Sequence, residues 1–231
     1  MIVLKTAREL EIMRQAGRIA ARALQGVGNA VEPGVSTAEL DRIARKIIEG
    51  EGAIPTFKGY DGFPASICAS VNNEVIHGIP SHHRVLKAGD IISIDVGATF
   101  EGYVGDTAAT FAAGEISPDA KRLMDATRDA LMQGIEAARA GGRLGDIGSA
   151  VQRHVEACGY SVVRQFVGHG VGASMHEAPE VPNYGVPGRG LRLMPGMTIA
   201  IEPMVNAGGG EVSILDDGWT VVSKDGSLSA H

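Results

Sequence analysis

Apolar residues recur at helical spacing in several stretches of the chain, and the first two stretches lie close to its start. Residues 6–27 predict an amphipathic helix, because Thr6 and Glu9 form a capping box ahead of the apolar series. The next helix is expected to follow Ser36, which also has a glutamate three residues later, and to end before Gly52. A pair of helices therefore opens the predicted fold.

A second pair of helices is predicted in the second half of the chain. The third helix should begin at Ser117-Pro118, since a capping serine followed by proline is typical of a helix start. A shorter fourth helix carries Ile147, Val151 and Val155 on its inner face. The two pairs match each other at residues 107 positions apart: Gly34 with Gly141, Leu40 with Ile147, Ile48 with Val155 and Gly52 with Gly159. We interpret this as an internal duplication whose halves face each other about a pseudo-twofold axis.

Runs rich in valine, isoleucine and threonine predict strands between and after the helices. The candidate strands are residues 66–71, 91–99, 103–111, 161–167, 197–205 and 218–223. Helix pairs separated by runs of strands favour an α+β fold, with a mostly antiparallel sheet and helices on one face. Since no long linker divides the sequence, residues 1–231 are expected to form a single domain.

Composition and charge narrow the class of protein. Hydrophobic residues make up 44% and charged residues 21% of the chain, which is ordinary for a globular protein, and no apolar run reaches the roughly 18 residues that span a bilayer. The net charge of −6, without clusters of lysine and arginine, argues against binding to nucleic acid or to an anionic membrane. Cys68 and Cys158 lack metal-like spacing and the N-terminus lacks a signal-peptide pattern, so we expect reduced thiols and a cytoplasmic location.

Three acidic residues lie in strand-like segments. Asp95 and Glu202 each stand inside an apolar run, where an unpaired carboxylate is very costly, and no lysine or arginine lies nearby in these runs. Asp106 follows Asp95 by eleven residues, and a hairpin closed at Phe100-Glu101 would place the two carboxylates opposite each other. A shared divalent metal ion would remove that repulsion, whereas a salt bridge or a turn cap is the alternative for each acid alone.

Histidines strengthen the prediction of a metal site. His169 stands in a glycine-rich stretch, residues 168–172, that predicts a turn and lacks the Lys-Ser/Thr of a phosphate loop. His77 and His176 share a His-x-x-Pro pattern, one in each half. A lone histidine is more often structural than a ligand, but a matched pair near buried acids favours a metal site. The remaining histidines lack such a setting and are assigned to solvent or the surface: His82, His83, His154 and His231.

Several short motifs follow one another in a fixed order. They are Gly59-Tyr60-Asp61-Gly62-Phe63-Pro64, Ile92-Ser93-Ile94-Asp95-Val96, Gly105-Asp106-Thr107, Val167-Gly168-His169-Gly170-Val171-Gly172, His176-Glu177-Ala178-Pro179, the run from Pro195 to Met204, and Asp217-Gly218-Trp219-Thr220. Together they closely resemble type I methionine aminopeptidases, from about residue 4 to the end of the chain. The resemblance implies the pita-bread fold, with two pseudo-symmetric halves, and removal of the initiator methionine from nascent proteins and peptides.

The same resemblance implies a ligand set for two divalent metal ions. Asp95 and Asp106 would bind one ion, and Asp106 would bridge to a second ion held by His169 and Glu202. Such ligands suit Co²⁺, Mn²⁺, Fe²⁺ or Zn²⁺ without choosing among them. Glu202 is the expected proton shuttle of a metal-assisted hydrolysis.

The contacts with substrate are implied in the same way. His176 would stabilise the tetrahedral intermediate and His77 would contact the scissile amide. Apolar and aromatic walls suit an unbranched thioether, although the same residues would also serve as plain core. The implied methionine pocket is lined by Phe57, Tyr60, Phe63, Cys68, Met175 and Trp219. The expected partners are peptides with an N-terminal methionine and, through nascent chains, the ribosome; a monomer without direct contact to nucleic acid or membrane is expected.

One ligand of the family pattern has no counterpart in this sequence. The family places a final metal-bridging glutamate just beyond a segment like Ser227-Leu228-Ser229-Ala230-His231, within a last strand, and this chain ends at His231. We therefore expect a chain truncated at its C-terminus, with weaker metal binding on the Asp95 side and reduced or absent turnover.

Two other functions stay open on the sequence. A proline-directed peptidase of the same fold is one, although the short segment before the first helix leaves no room for the extra domain that such enzymes usually carry. A non-catalytic peptide-binding module or an inactive fragment is the other, although retention of all the acids and histidines named above argues against it.

Overall fold

The computed structural model describes residues 2–231, and the four predicted helices are confirmed. They are α1 (Ala7–Gly28), α2 (Thr37–Gly50), α3 (Pro118–Ala137) and α4 (Leu144–Ala157). The predicted capping box is present at α1, because Thr6 accepts from the backbone N–H of Glu9 while the Glu9 carboxylate accepts from the backbone N–H of Thr6. Ser36 and Ser117 cap α2 and α3, each accepting from the backbone N–H three residues later. None of the helices in the described residues is long and apolar enough to cross a bilayer.

Antiparallel pairing joins the strands into four small sheets. The strands are β1 (Ile54–Pro55), β2 (Ile67–Val71), β3 (Glu74–Ile76), β4 (Ile91–Phe100), β5 (Tyr103–Ala112), β6 (Ser161–Val162), β7 (Gly168–Gly170), β8 (Glu177–Val181), β9 (Val205–Asn206), β10 (Val212–Ile214), β11 (Val221–Ser223) and β12 (Ser229–Ala230). The largest sheet has the order β1-β4-β2 with β5 added to β4. Its apolar face packs against α1 and α2 and forms the main core, which includes Ile19, Leu40, Ile67, Ile92 and Ile94.

The predicted duplication is visible in the bounds of the elements. Helix α4 begins and ends 107 residues after α2, and β6 lies 107 residues after β1. The glycines ahead of the two helices have similar left-handed φ angles, 97° at Gly34 and 91° at Gly141, and so do those after them, 74° at Gly52 and 83° at Gly159. Equal spacing and equal turn geometry confirm two copies of one helix–turn–strand unit.

The β4–β5 hairpin closes one residue later than predicted. Phe100 pairs with Tyr103, so the turn consists of Glu101 and Gly102, with φ angles of 46° and 81°. A two-residue turn with positive φ at both positions matches the twist of the strands, and glycine adopts it more easily than phenylalanine would. The predicted register was therefore wrong: Asp95 pairs with Ala108, and the residue opposite Asp106 is Gly97. Because each partner moves by two positions, both carboxylates remain on one face of the sheet.

Strand predictions are confirmed for β2 and the long β4–β5 hairpin and only in part in the second half, where the predicted strand 218–223 contains β11. Residues 161–167 contain only β6, and residues 197–205 lack a regular strand apart from the Val205 end of β9. The run pairs only locally, through an isolated antiparallel bridge between Ile199 and Gly170, and Pro203 has no N–H to extend a ladder. His169 lies within β7 and not in the predicted turn.

Candidate metal centre

The acidic residues reach one cavity from different elements. Asp95 lies on β4, Asp106 on β5, and Glu202 in the irregular segment before β9. All three line a cavity of about 410 Å³ between the hairpin and α3. The backbone carbonyl of Glu202 accepts a hydrogen bond of 2.6 Å from the side-chain amide of the fully buried Asn183, a contact that sequence analysis did not find.

His169 brings an imidazole to the acids. Its Nε2 lies 3.5 Å from Oδ2 of Asp106 and 3.2 Å from Oε1 of Glu202. Its Nδ1 lies 2.8 Å from the carbonyl oxygen of Gly170, and this contact requires the proton to be on Nδ1. Burial lowers the pKa of His169, so the neutral ring presents the lone pair of Nε2 to the two carboxylates.

This donor set fits a divalent metal ion. One ligand atom each from Asp106, His169 and Glu202 lies within 4.8 Å of the others. Oε1 of Glu202 is buried and accepts no hydrogen bond, and it faces an imidazole nitrogen that carries no proton. Two facing acceptors without a shared proton are costly unless a cation lies between them. A carbonyl that fixes the tautomer of a ligating imidazole is also typical of metal sites.

The pKa values of the three carboxyl groups in the cavity also indicate a site for a cation. Burial raises the pKa of Asp95 and of Glu202 well above the usual range, and the negative charge of Asp106 raises both further. Burial also raises the pKa of Asp106, to about 7. Within residues 2–231, the basic side chains that come within 4.0 Å of these carboxylates are imidazoles alone. Such carboxyl groups hold protons unless a divalent cation takes the place of those protons.

Asp95 stands slightly apart from this cluster. It lines the same cavity as Asp106 and Glu202, but it is not part of the group whose ligand atoms are all mutually close. The structure therefore brings three of the four predicted ligands together and places the fourth beside them.

Of the two predicted substrate-contacting histidines, His176 contacts His169 and His77 contacts the apolar cluster that includes Trp219. The ring of His176 packs at 4.2 Å from the ring of His169, and its Nδ1 lies 2.7 Å from the hydroxyl of Tyr60. His77 has a positive φ of 59° and contacts the edge of Trp219 at 6.3 Å between ring centroids. Burial lowers the pKa of both histidines, to about 4 for His77, so both rings are neutral near pH 7.

The six predicted pocket residues lie in one apolar cluster. Phe63 and Trp219 meet edge to face at 5.1 Å, and Cys68 on β2 pairs with Asp95 on β4, which places the cluster beside the acids. Sequence analysis missed other members of the cluster: Met13, Ala65, Ile79, Val104 and Val171. Only Val104 had a usable signal, because it lies two positions from Asp106 on the same strand and so on the same face.

One histidine assignment was wrong. His231 is buried, with 4% of its side chain exposed, and its Nε2 lies 4.0 Å from Oε2 of Glu202. Its backbone N–H donates to the hydroxyl oxygen of Thr110 on β5, and its backbone carbonyl accepts from the same hydroxyl. These two hydrogen bonds hold His231 against β5. Burial lowers the pKa of His231 to about 4. Nothing in the local sequence around His231 indicates this long-range contact.

The other three histidines assigned to solvent or the surface are less buried. His82 and His83 are exposed, as predicted, and His154 is half-buried.

A duplicated helix–strand fold that encloses acids and an imidazole defines a class of metal-dependent peptidases. The model of metallopeptidase family M24 matches residues 11–223, and the chain belongs to this family. It is 56% identical over 231 residues to the methionine aminopeptidase of Clostridium acetobutylicum, covering 100% of this chain and 92% of that protein. It is 54% identical to methionine aminopeptidase 1 of Bacillus subtilis, covering 93% of that protein. The crystal structure of methionine aminopeptidase from Thermotoga maritima superimposes with a TM-score of 0.98 at 44% identity, covering 100% of this chain and 92% of that one.

These comparisons settle two predictions. The pita-bread fold is confirmed by the superposition on a methionine aminopeptidase. The predicted truncation is not borne out, since the chain covers 92% and 93% of the lengths of the two curated relatives.

Proposed function

We propose that this chain removes the N-terminal methionine from peptides and nascent proteins by metal-assisted hydrolysis. The observation that carries the proposal is the position of a cluster of apolar and aromatic residues directly beside the acid–imidazole cluster, where it can form the walls of a methionine pocket. Identity of 56% and 54% to proteins named methionine aminopeptidase supports it, while no feature of the site favours a non-catalytic module. A pocket of this kind binds an unbranched thioether through apolar and sulfur–aromatic contacts.

Four residues would hold two divalent ions: Asp95, Asp106, His169 and Glu202. Asp106 lies between Asp95 on the neighbouring strand and His169, which suits a bridging role. When bound, such ions lower the pKa of a water molecule and stabilise the oxyanion that develops on the substrate. The identity of the metal stays open among Co²⁺, Mn²⁺, Fe²⁺ and Zn²⁺.

The other side chains bind the substrate and move protons. Glu202, whose pKa is raised by burial, takes the proton of the attacking water and passes it to the leaving amine. The Tyr60 hydroxyl lies 2.7 Å from Nδ1 of His176; when the hydroxyl donates this hydrogen bond, the ring proton of His176 is on Nε2, from which it can be donated in a hydrogen bond to the substrate carbonyl oxygen. His77, beside Trp219, contacts the scissile amide, and the pocket keeps water from the methionine side chain.

The setting of the reaction follows from this substrate. Residues 1–231 act as a single domain and as a monomer in the cytoplasm, where nascent chains emerge from the ribosome. The ribosome is a partner only through these chains, because the net charge of −6 opposes direct binding to RNA.

Release of methionine from the tripeptide Met-Gly-Met, with Mn²⁺ or Co²⁺ added, tests the proposal. The wild-type chain should cleave it, and excess EDTA should abolish cleavage. Asp106→Asn should reduce cleavage to background, because the amide loses the negative charge that binds the ions. Asp125→Asn is the matched control, since Asp125 lines the same cavity but pairs with Lys121 at the surface.

Three results would contradict the proposal. Unchanged cleavage by Asp106→Asn would reject the metal mechanism. Absence of cleavage by the metal-loaded wild type would favour a binding module or an inactive chain. Faster cleavage of a peptide with proline in second place than of Met-Gly-Met would favour a proline-directed peptidase.

A further inference from the structure

A buried ion pair ties the start of the chain to the segment that carries His176. The ammonium group of Lys5 pairs with the carboxylate of Glu177, 172 residues later, and also donates to the Val3 carbonyl at 3.3 Å. The side chains of Lys5 and Glu177 are 3% and 17% exposed. Burial opposes ionisation of Glu177, but hydrogen bonds from Lys5 and from backbone N–H groups outweigh it, and its pKa is lowered. The carboxyl group of Glu177 is therefore ionised near pH 7.

Stability alone is a poor explanation for such a pair. A buried ion pair is often no more stabilising than apolar residues of the same size, because both charges lose their hydration. Residues 2–231 contain several ion pairs of a lysine or arginine with an acid. Of these, the Lys5–Glu177 pair is the one in which both side chains are less than a fifth exposed. In the pair of Lys224 and Glu211, by contrast, the side chains are 66% and 78% exposed. A fixed geometry is the property that a buried, directional contact supplies best.

The pair fixes a short turn, residues 172–177. The backbone N–H of Ser174 donates to Oε1 of Glu177 at 3.3 Å. A Cβ atom at Gly172 would lie 2.5 Å from both Cε of Lys5 and Oε1 of Glu177, so the turn packs directly on the pair. The Gly172 carbonyl accepts from Val104 on β5 at 2.8 Å, and the N–H of Lys5 donates to Gly196 at 2.7 Å. The turn is thus held between the N-terminal segment and the strand that carries Asp106.

Two side chains on this turn face the site. Met175 is 6% exposed and belongs to the apolar cluster of the proposed methionine pocket, and the ring centroid of His176 lies 4.2 Å from that of His169. We propose that the Lys5–Glu177 ion pair is a positioning device that sets Met175 and His176 relative to the metal cluster. The proposal rests on the proposed function, but Lys5 and Glu177 act through the turn and are positioning residues.

Kinetics of cleavage of Met-Gly-Met test this role. Lys5→Met and Glu177→Gln should each lower kcat/KM by about ten- to a hundredfold, mainly through kcat, because a small displacement of a group that acts in the transition state is costly. The ratio of kcat/KM for N-terminal methionine over N-terminal leucine should also fall, since Met175 forms part of the pocket. Lys224→Met, which breaks an exposed ion pair, should leave both values unchanged.

A merely structural role predicts a different pattern. Lys5→Met leaves an unpaired buried carboxylate and should lower Tm, whereas the double variant Lys5→Met with Glu177→Gln removes both charges and should recover most of Tm. The positioning role requires kcat/KM of the double variant to stay low. It also requires Lys5→Arg, which keeps the positive charge, to have a higher kcat/KM than Lys5→Met. Wild-type kcat/KM and selectivity in the folded double variant would overturn the proposal, even where Lys5→Met fails to fold.

Hydrogen exchange separates this proposal from the proposed function. Amides of residues 172–177 should exchange faster in Lys5→Met or in the double variant than in the wild type, while Lys224→Met should leave them unchanged. If the wild type cleaves no peptide but exchange changes as stated, the proposed function is rejected, while the role of the Lys5–Glu177 ion pair in holding residues 172–177 is supported. If exchange of these amides is unaffected by the substitutions, the role of the ion pair as a positioning device is rejected.

Discussion

The chemistry of single residues in the site is decided by which atoms hold protons. The Gly170 carbonyl keeps the proton of His169 on Nδ1, and the Tyr60 hydroxyl bonds to Nδ1 of His176. The neutral ring of His169 therefore presents the lone pair of its Nε2 to the carboxylates. When the Tyr60 hydroxyl donates to Nδ1 of His176, that ring carries its proton on Nε2 instead, although the two ring centroids are only 4.2 Å apart.

His77 should make the metal-free protein less stable in acid. Burial lowers its pKa from 6.5 to about 4, so between these values the unfolded state binds more protons and the free energy of unfolding falls as pH falls. His77→Asn, which tolerates the φ of 59°, should lose less stability between pH 7 and pH 4 than the wild type, by at most about 3 kcal/mol. Urea unfolding in EDTA at both pH values measures this. His83→Asn, at an exposed site, should behave as the wild type, and identical pH dependence in His77→Asn would contradict the assignment.

Trp219 should control affinity for the methionine side chain. Its ring packs edge to face on Phe63 and forms a wall of the pocket. Trp219→Ala should lower kcat/KM for Met-Gly-Met by about ten- to a hundredfold, because the apolar contact with the substrate is lost, while Trp219→Phe should retain most of it. Steady-state kinetics would show the difference, and an alanine variant with wild-type kcat/KM would exclude Trp219 from the pocket.

Among the elements of the fold, local sequence signals were sufficient to predict the helices but insufficient to predict the full set of contacts in the site. Capping serines and apolar spacing located the first residues of α2 and α3, because those features act within one turn. The hairpin register depended on positive φ at Glu101, which the sequence does not display. Acids inside apolar runs and resemblance to a family identified the candidate ligands, but the burial of His231 and the Lys5–Glu177 pair join segments far apart in sequence, which local patterns cannot show.

Packing of α1 on the hairpin depends on a glycine in β5. A Cβ at Gly105 would lie 2.3 Å from the backbone of Ala16 and Gly17, which cannot move aside as a side chain could. Gly105→Ala should therefore destabilise the protein by about 1–3 kcal/mol or more. Gly17→Ala, on the helix at the same contact, meets no atom within 4 Å and should stabilise it by up to about 1 kcal/mol. Thermal unfolding of the two variants measures these changes, and equal Tm values would contradict the close contact of α1 with β5.

Across the whole molecule, the site joins the two halves. Asp95 and Asp106 belong to the first half, and His169 and Glu202 to the second, so a bound metal ion stabilises only the assembled fold. Removal of metal present at about a hundred times its Kd should cost about 2.7 kcal/mol and lower Tm by roughly 5–10 °C. Calorimetry with and without EDTA measures the shift. Asp106→Asn should show no shift, and an equal shift in that variant would place the stabilising ion elsewhere.

The order of the ligands along the chain matters during synthesis. The β4–β5 hairpin, with Asp95 and Asp106 side by side, is complete well before His169 and Glu202 are added. At about 5–20 residues per second, this interval lasts roughly 5–20 s. Until then the hairpin offers oxygen ligands only, which suit Mg²⁺ or Ca²⁺. An ion that prefers an imidazole ligand therefore gains that ligand only after the second half of the chain has been made.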